Sequence, residues 1–141
     1  MIHPITFKLF ISTLLIFGAF SCSKRSELIA KINYDFQGCF GGDNSSLLIY
    51  ESDTTTIAKL EKEGNVILKA KLSSAQIDTF EIFIRDLKNL SEESGCTNVS
   101  KYTVIYHNET IQKTDGSCDW NGFDKLKDCL FRNPFQTVQV N

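Results

Sequence analysis

The sequence contains very little histidine, proline or tryptophan, and it has no large excess of charge of either sign. Its 141 residues include 2 His, 2 Pro and 1 Trp, and 15 basic side chains stand against 17 acidic ones. This balance excludes a strongly basic nucleic-acid-binding protein and a highly charged disordered chain. The shortage of proline excludes a proline-rich linker, and the length accommodates at most one domain.

Histidine is too scarce for most nucleophilic or metal chemistry. His3 falls in an N-terminal leader, which leaves His107 in a predicted hairpin turn as the one remaining histidine. The sequence contains no Gly-x-Ser-x-Gly, His-Glu-x-x-His or phosphate-loop pattern. The cysteines lack the Cys-x-x-Cys spacing of zinc knuckles and thioredoxin-like redox sites. We therefore predict no metal and no cofactor, and the pattern marks no catalytic residue.

An apolar run near the start of the chain is too short to cross a membrane as a helix. Residues 9–20 are 12 uncharged, mostly apolar residues, whereas a spanning helix needs about 20. The small residues Ala19 and Ser21 precede Cys22, as at a signal-peptidase site. We therefore predict a signal peptide over residues 1–21, a polar tether over 22–27 and one folded domain over 28–141.

The segment Ala19-Phe20-Ser21-Cys22 resembles a relaxed lipobox, the processing signal of bacterial lipoproteins. In that class the cysteine becomes the mature N-terminus and carries a lipid. The resemblance therefore implies lipidation of Cys22 in a small, Bacteroidetes-like lipoprotein of the cell envelope, held in the outer membrane and facing the periplasm. Ordinary secretion is the alternative, because Ala19-Phe20-Ser21 also satisfies that cleavage rule.

Hydrophobic periodicity predicts an α+β domain with an antiparallel sheet. Apolar side chains that recur every second residue indicate half-buried strands, and spacings of three and four indicate amphipathic helices. Ser73 and Gln76 form a capping-box pattern, and His107-Asn108 is a two-residue hairpin turn. Strands are predicted over residues 28–37, 46–51, 54–61, 66–72, 102–106, 109–114 and near 135–140, and helices over 74–90 and 120–130. The order ββββ-α-ββ-α predicts that both helices cover one face of the sheet.

The cysteine count favours lipidation over simple secretion. Five cysteines leave one thiol unpaired, whereas lipidation of Cys22 leaves an even set of four. Cys96 and Cys118 flank the predicted hairpin nearly opposite each other, so we predict a disulfide between them. The remaining two, Cys39 and Cys129, are predicted to form a second disulfide.

A glycine-rich segment, Gly38 to Asn44, separates the first two predicted strands and is predicted to be a loop. Its residues Phe40, Gly41, Gly42 and Asp43 are the candidate binding residues, with Phe40 as an anchor for a partner. The competing interpretation is structural, because glycines beside a disulfide also supply the backbone freedom of a tight turn.

Paired carboxylates leave one catalytic alternative open. Asp115 with Asp119 and Asp124 with Asp128 are the pairs near the predicted second helix, and a glycosidase needs two carboxyl groups about 5–10 Å apart in a cleft. Asp124 and Asp128 fall on the predicted solvent face of that helix, which favours a surface role. Trp120, just before it, is predicted to pack on the core.

From about Gln37 to Phe131 the layout is similar to small exported bacterial domains of unknown function. The similarity rests on Gly38 to Gly41, on the strand Leu47 to Tyr50 and on Gly95-Cys96-Thr97, and it implies no established activity. The sequence thus predicts a lipid-anchored envelope protein that binds a protein or glycan partner, and not nucleic acid, without catalysis. A small carboxylate-based hydrolase and an inhibitor of an envelope enzyme are the alternatives.

Overall fold

The computed structural model describes residues 26–92, 95–132 and 137–139. The predicted signal peptide, Cys22 and most of the tether lie outside these residues. The elements are β1 (Glu27–Gly38), β2 (Gly41–Ser52), β3 (Thr55–Lys62), β4 (Asn65–Leu72), α1 (Ser74–Lys88), β5 (Val99–Tyr106), β6 (Glu109–Asp115), α2 (Gly122–Phe131) and β7 (Thr137–Gln139).

Six long strands and the short β7 form one antiparallel sheet, in the spatial order β6-β5-β1-β2-β3-β4-β7. The predicted α+β class and the order of the first eight elements are confirmed. Hairpins join β1 to β2, β2 to β3, β3 to β4 and β5 to β6. The pairing of β5 with β1 is not local in sequence, and it brings the second hairpin beside the first.

Tight turns set the register of the hairpins. In the β5–β6 hairpin, His107 and Asn108 have φ of 46° and 63°, the backbone that a two-residue turn of type I′ needs to match the strand twist. Tyr106 therefore lies opposite Glu109, and the register continues to Ser100 opposite Asp115. The predicted turn is confirmed, and it places the chain ends of this hairpin side by side.

Both helices pack on one face of the sheet, as predicted. The buried stripe of α1 is Phe80, Phe83, Ile84 and Leu87, and that of α2 is Phe123, Leu126 and Leu130. These residues share one core with alternate strand residues, including Ala30, Ile32, Leu47, Ile49, Ala58, Tyr102 and Val104. The strand residues between them, such as Lys31 and Asn33, lie on the opposite face, which we call the open face.

The predicted capping box forms at the start of α1 and also joins the two helices. The Ser73 backbone N–H donates to Gln76 Oε1 at 2.9 Å, and the Gln76 N–H donates to Ser73 Oγ at 3.4 Å. Gln76 Nε2 then donates to the carbonyl oxygens of Cys129 and Leu130 at 3.0 and 3.2 Å. One side chain thus caps the first turn of α1 and satisfies carbonyls at the end of α2.

Of the two predicted disulfides, one is confirmed and one is wrong. Cys96 and Cys118 are bonded, with their Cα atoms 5.8 Å apart, but Cys39 and Cys129 are free thiols. Cys39 occupies the exposed turn at the tip of the β1–β2 hairpin, whereas Cys129 Sγ lies 3.6 Å from Thr79 Oγ1 between the helices. The even-count argument for lipidation therefore loses its premise, and only the signal pattern supports it.

The glycine-rich segment is not the loop that the sequence predicts. Gly38 pairs with Gly41, so only Cys39 and Phe40 form the turn, and residues 41–44 belong to β2. A Cβ atom at Gly42 would lie 2.8 Å from the Phe36 carbonyl oxygen, and one at Gly38 would lie 2.8 Å from Asn98 Oδ1. These glycines permit close approach within and beside the hairpin instead of forming a flexible loop.

Candidate functional site

The turn of the β1–β2 hairpin carries a solvent-exposed aromatic side chain. Phe40 is the most exposed large hydrophobic residue of the described chain, with essentially its whole side chain in solvent. Its neighbour Cys39 is also exposed. An exposed phenylalanine at a rigid hairpin tip fits the predicted role of Phe40 as an anchor, and it excludes a role for Phe40 in the core.

A small cleft opens on the helix-covered side of the sheet, where β1, β5 and the start of α2 meet. It encloses about 170 Å³. Its aromatic lining consists of Tyr34, Phe36, Tyr102, Trp120 and Phe123. We call this pocket the aromatic cleft. Phe36 lies four residues before Phe40 on the same hairpin, so the hairpin tip and the cleft are roughly 13 Å apart along the strand.

Ring contacts hold the aromatic lining in place. The Tyr34 ring lies 4.5 Å from that of Phe123 and 5.3 Å from that of Tyr102. Trp120 stacks on Phe83 of α1 at 5.6 Å and meets Tyr102 edge-on at 5.1 Å. The prediction that Trp120 packs on the core is confirmed, and the same packing fixes its ring at the cleft. Tyr102 and Phe123 are almost wholly buried, whereas Trp120 and Phe36 are partly exposed at the cleft. A lining held by ring contacts needs little further ordering when a ligand binds.

Hydrogen-bonding groups also line the cleft. They are Asn98, Ser100, Asp115, Asn121 and Asp124. The Tyr34 hydroxyl lies 3.4 Å from Ser100 Oγ, and burial, partly offset by a hydrogen bond with Ser100, raises the pKa of Tyr102. The Tyr102 hydroxyl therefore stays protonated at neutral pH, and a protonated tyrosine hydroxyl both donates and accepts hydrogen bonds.

Asp115 is the buried carboxylate of the cleft, with 4% of its surface exposed. Its Oδ1 accepts hydrogen bonds from the Ser117 backbone N–H at 2.9 Å and from Ser117 Oγ at 2.6 Å. These bonds form a tight Asx turn just before Cys118, whose φ is 64°. The carboxylate thus shapes the segment that carries the disulfide and leads to Trp120.

The four candidate binding residues separate in the structure. Phe40 stands at the hairpin tip, and Gly41 and Gly42 belong to the paired start of β2. Asp43 faces the helix-covered side and forms an ion pair with Lys62 Nζ at 2.8 Å, and the hydrogen bond and charge of Asp43 raise the pKa of Lys62. Among the four, Phe40 alone presents a large exposed side chain, whereas Asp43 already has a cationic partner.

The carboxylates that the sequence analysis paired do not come together in the structure as pairs. Asp115 and Asp124 line the aromatic cleft together, although the sequence pairs them with Asp119 and Asp128. Asp124 forms an ion pair with Lys127 at 2.9 Å, and Asp128 lies near Arg132 at 3.9 Å on the far turn of α2. Within residues 26–92 and 95–132, no three His, Cys, Asp or Glu side chains converge as a metal site.

Sequence reasoning missed the cleft because its polar members carry no motif. Asn98 lies just before β5, Ser100 is the second residue of that strand, and Asn121 lies just before α2. Each therefore resembles an ordinary boundary residue. They meet because β5 pairs with β1, with Ser100 opposite Phe36 and Tyr102 opposite Tyr34. The available signal was weak: Ser100 and Tyr102 share one face of β5 with Val104 and Tyr106.

No protein-family model, curated protein or solved structure matches the chain. Among the described residues, neither helix is long and apolar enough to cross a bilayer.

Proposed function

We propose that this protein is a non-catalytic binding module of the bacterial cell envelope, and that it captures a glycan or protein partner in the aromatic cleft. The observation that carries this proposal is the composition of the cleft, in which five aromatic residues, four of them in ring contact with one another, share the lining with amide, hydroxyl and carboxylate groups. In such a lining, hydrogen bonds fix the orientation of a bound ligand, and apolar contacts supply much of the binding free energy. The scarcity of histidine and the absence of a catalytic motif in the sequence favour binding over chemistry.

The small volume of the cleft limits the part of a ligand that can enter it. About 170 Å³ is below the 300–1,000 Å³ usual for drug-sized ligands, so the cleft accommodates a single sugar ring or one protein side chain. A sugar presents one apolar face and a rim of hydroxyl groups, which matches rings such as Trp120 beside polar groups such as Asn98. A partner protein would contact the Phe40 tip as well, because the tip and the cleft share one hairpin.

The cleft is tested by removing its polar side chains without disturbing the core. We expect Asn98→Ala combined with Asn121→Ala to weaken retention on a glycan array or on immobilised envelope proteins by about tenfold, because two hydrogen-bonding groups are lost. Gln112→Ala, an exposed amide on the open face, is the matched control and is expected to bind normally. Equal binding by the cleft variant and the control would overturn the proposal.

A second variant separates the two classes of partner. Phe40→Ala is expected to reduce capture of a protein partner, including an enzyme that the domain inhibits, because exposed aromatic anchors dominate such interfaces. The same change leaves saccharide binding intact if the ligand fills only the cleft. Loss of binding in Phe40→Ala together with normal binding in the asparagine variant would move the site to the hairpin tip.

Carboxylate-based hydrolysis is the second candidate, because Asp115 and Asp124 line the same cleft. A hydrolase would lose turnover in both Asp115→Asn and Asp124→Asn while it retained substrate binding. The engagement of Asp115 with Ser117 favours a structural role for that carboxylate. Measurable hydrolysis of an array glycan that disappears in Asp124→Asn would replace the binding proposal.

We also propose that the module is anchored through a lipid on Cys22 in the outer membrane, facing the periplasm. The support is the signal-like pattern of residues 1–22 in the sequence. Two or more acyl chains, at about 0.8 kcal/mol for each buried CH₂ group, hold a protein stably in a bilayer. Intact mass of the membrane-extracted protein tests this, since acylation adds a defined mass at residue 22, and an unmodified N-terminus would contradict it.

A further inference from the structure

The open face of the sheet carries its charge in an ordered pattern. One row of cross-strand neighbours runs from β1 to β4 through Lys31, Leu48, Lys59 and Lys69. The next row, towards the start of β1, contains Lys71 opposite Ile57, and Tyr50 opposite Leu28. We call Lys31, Lys59, Lys69 and Lys71 the basic patch. No carboxylate falls in these two rows among the described residues.

The open face differs in charge from the rest of the protein. It carries five lysines, which are the basic patch and Lys101, against two carboxylates, Asp35 and Glu61, for a net charge of +3. The other described residues carry 7 basic and 14 acidic side chains, for a net charge of −7. Asp35 and Glu61 lie in the rows nearer the hairpin tip. The positive charge is therefore concentrated in the half of the face nearest the start of β1.

The basic patch is not neutralised within the described protein. Lys59 lies directly opposite Lys69, and like charges in that position destabilise a sheet. Lys59 Nζ stands 4.4 Å from the centre of the Tyr50 ring, but within the part of the chain that the structure describes no patch lysine forms an ion pair with a carboxylate. Other lysines of the described chain do form ion pairs, as in Lys88 with Glu109 and Lys62 with Asp43.

Apolar side chains accompany these lysines. Leu28 is 45% exposed and Ile105, opposite Lys31, is 47% exposed. Leu48 lies between Lys31 and Lys59 and is buried, although the two described helices both pack on the opposite face. Long lysine stems cover apolar neighbours in such positions. Lysines interleaved with exposed aliphatic residues are typical of surfaces that rest on anionic lipid headgroups.

The patch also lies at the end of the domain nearest the proposed anchor. β1 begins at Glu27, five residues after Cys22, so a lipid on Cys22 would hold the start of β1 within roughly 17 Å of the bilayer. We propose that the basic patch docks this face of the sheet onto anionic phospholipid headgroups of the membrane that holds the anchor. This inference rests on the proposed lipidation of Cys22, and it leaves the hairpin tip and the aromatic cleft free for a partner.

The test uses the acylated protein in vesicles and compares the reactivity of its lysines. The protein is reconstituted into phosphatidylcholine vesicles with or without phosphatidylglycerol, treated briefly with an amine-acetylating reagent and analysed by mass spectrometry. We expect Lys31, Lys69 and Lys71 to react about fivefold more slowly in the anionic vesicles, given the attraction of each basic side chain to such a surface. Lys125, exposed on α2, is expected to react equally in both, and high salt is expected to abolish the difference.

Two variants with the same change of charge test whether the slower acetylation depends on the basic patch. Lys69→Glu is expected to remove the protection of the other patch lysines, whereas Lys125→Glu, with the same change of charge, is expected to leave it intact. Patch lysines that react equally in both kinds of vesicle would overturn the inference. Protection that appears only after envelope proteins are added would also overturn it, and would assign the patch to an acidic protein.

Failure of the anchor is distinguishable from failure of the patch. Absence of an acyl mass on Cys22 contradicts the anchor alone, and flotation of the unacylated protein with phosphatidylglycerol vesicles then tests the patch separately. Flotation that Lys69→Glu abolishes and Lys125→Glu does not would support the patch without the anchor. No flotation would overturn it.

Discussion

Phe36 and Phe40 are four residues apart on one hairpin, yet they have opposite environments. Phe36 lines the aromatic cleft and packs against the core, while Phe40 is fully exposed at the turn. Phe123 is the extreme case of burial, with 1% of its surface exposed and its ring 4.5 Å from Tyr34. Residue type therefore does not decide the role of an aromatic side chain here, and single substitutions separate the roles.

Truncation of the Phe123 side chain is expected to lower the free energy of unfolding strongly. Phe123→Ala removes a fully buried ring that several aromatic neighbours share, and such changes cost about 3–5 kcal/mol of unfolding free energy. Phe40→Ala is the matched control and is expected to change that free energy by less than about 0.5 kcal/mol, as for exposed positions generally. Urea unfolding followed by circular dichroism measures both. A large destabilisation by Phe40→Ala would show that the tip is part of the core.

The raised pKa of Tyr106 leads us to expect a loss of folding stability at alkaline pH. Burial, then a hydrogen bond donated to Glu81 and the charge of that carboxylate, raise the pKa of Tyr106 from 10.0 to about 12. The unfolded state therefore loses this proton first as pH rises, so the stabilisation is complete below pH 10 and declines between about pH 10 and 12.

Unfolding free energies measured across that pH range test the prediction. Tyr106→Phe has no proton to lose at this position, so its stability is expected to fall less steeply. Phe40→Ala, which removes no titratable group, serves as the control and is expected to retain the wild-type slope. If the unfolding free energy of Tyr106→Phe fell with pH as steeply as that of the wild type, Tyr106 would not be the source of the loss. Tyr102, whose pKa burial also raises, contributes in the same direction.

The elements are joined by a few polar contacts that cross the core boundary. Gln76 connects the start of α1 to the end of α2. Lys88 near the end of α1 forms an ion pair with Glu109 of β6 at 2.6 Å, and Lys113 Nζ donates to the Leu90 carbonyl at 3.0 Å. The bonds from Gln76 and Lys113 reach carbonyls at or just beyond the end of a helix, where backbone carbonyls lack partners within the helix.

Substitutions in the capping box are expected to separate the local and the tertiary role of this contact. Ser73→Ala removes one helix cap, which typically costs about 1 kcal/mol. Gln76→Ala removes the reciprocal bond and both bonds to α2, so we expect a loss of about 2 kcal/mol. Ser74→Ala, at an exposed helical position, is the control and is expected to be neutral. Equal costs for Ser73→Ala and Gln76→Ala would indicate that the bonds to α2 contribute nothing.

At the scale of the whole molecule, one disulfide closes the base of the β5–β6 hairpin. Cys96 N–H donates to the Gly116 carbonyl at 2.9 Å, so the bond between Cys96 and Cys118 continues a pairing that the backbone already makes. Closing a loop of this size is worth about 3 kcal/mol through chain entropy. The disulfide also tethers the segment that carries Asp115 and Trp120, and thereby the wall of the aromatic cleft.

Thiol reactivity distinguishes this arrangement from two disulfides. In the native protein we expect a maleimide to modify Cys39 rapidly and Cys129 slowly, because Cys39 is exposed and Cys129 lies between the helices. Cys96 and Cys118 are expected to react only after reduction, and reduction is expected to lower the unfolding free energy by about 3 kcal/mol. Peptide mapping identifies each site. Cys39 and Cys129 that both stay unmodified in the unfolded, unreduced protein would restore the second disulfide.

The sequence by itself determined the local structure. Period-two patterns located the strands, Ser73 with Gln76 located the start of α1, and the turn at His107-Asn108 set a register that brought Cys96 near Cys118. These features depend on neighbours a few residues away, and backbone geometry relates such neighbours directly. The glycine-rich segment was interpreted wrongly because glycine marks both flexible turns and close approaches between strands.

Only the tertiary structure decided which distant elements meet. The pairing of β5 with β1 placed Ser100 and Tyr102 beside Phe36 and Tyr34, and so created the aromatic cleft. The same pairing placed Ile105 opposite Lys31 on the open face. Which strands become neighbours, and which thiols remain apart, depends on how the whole core buries its apolar surface, and no local pattern encodes that sum.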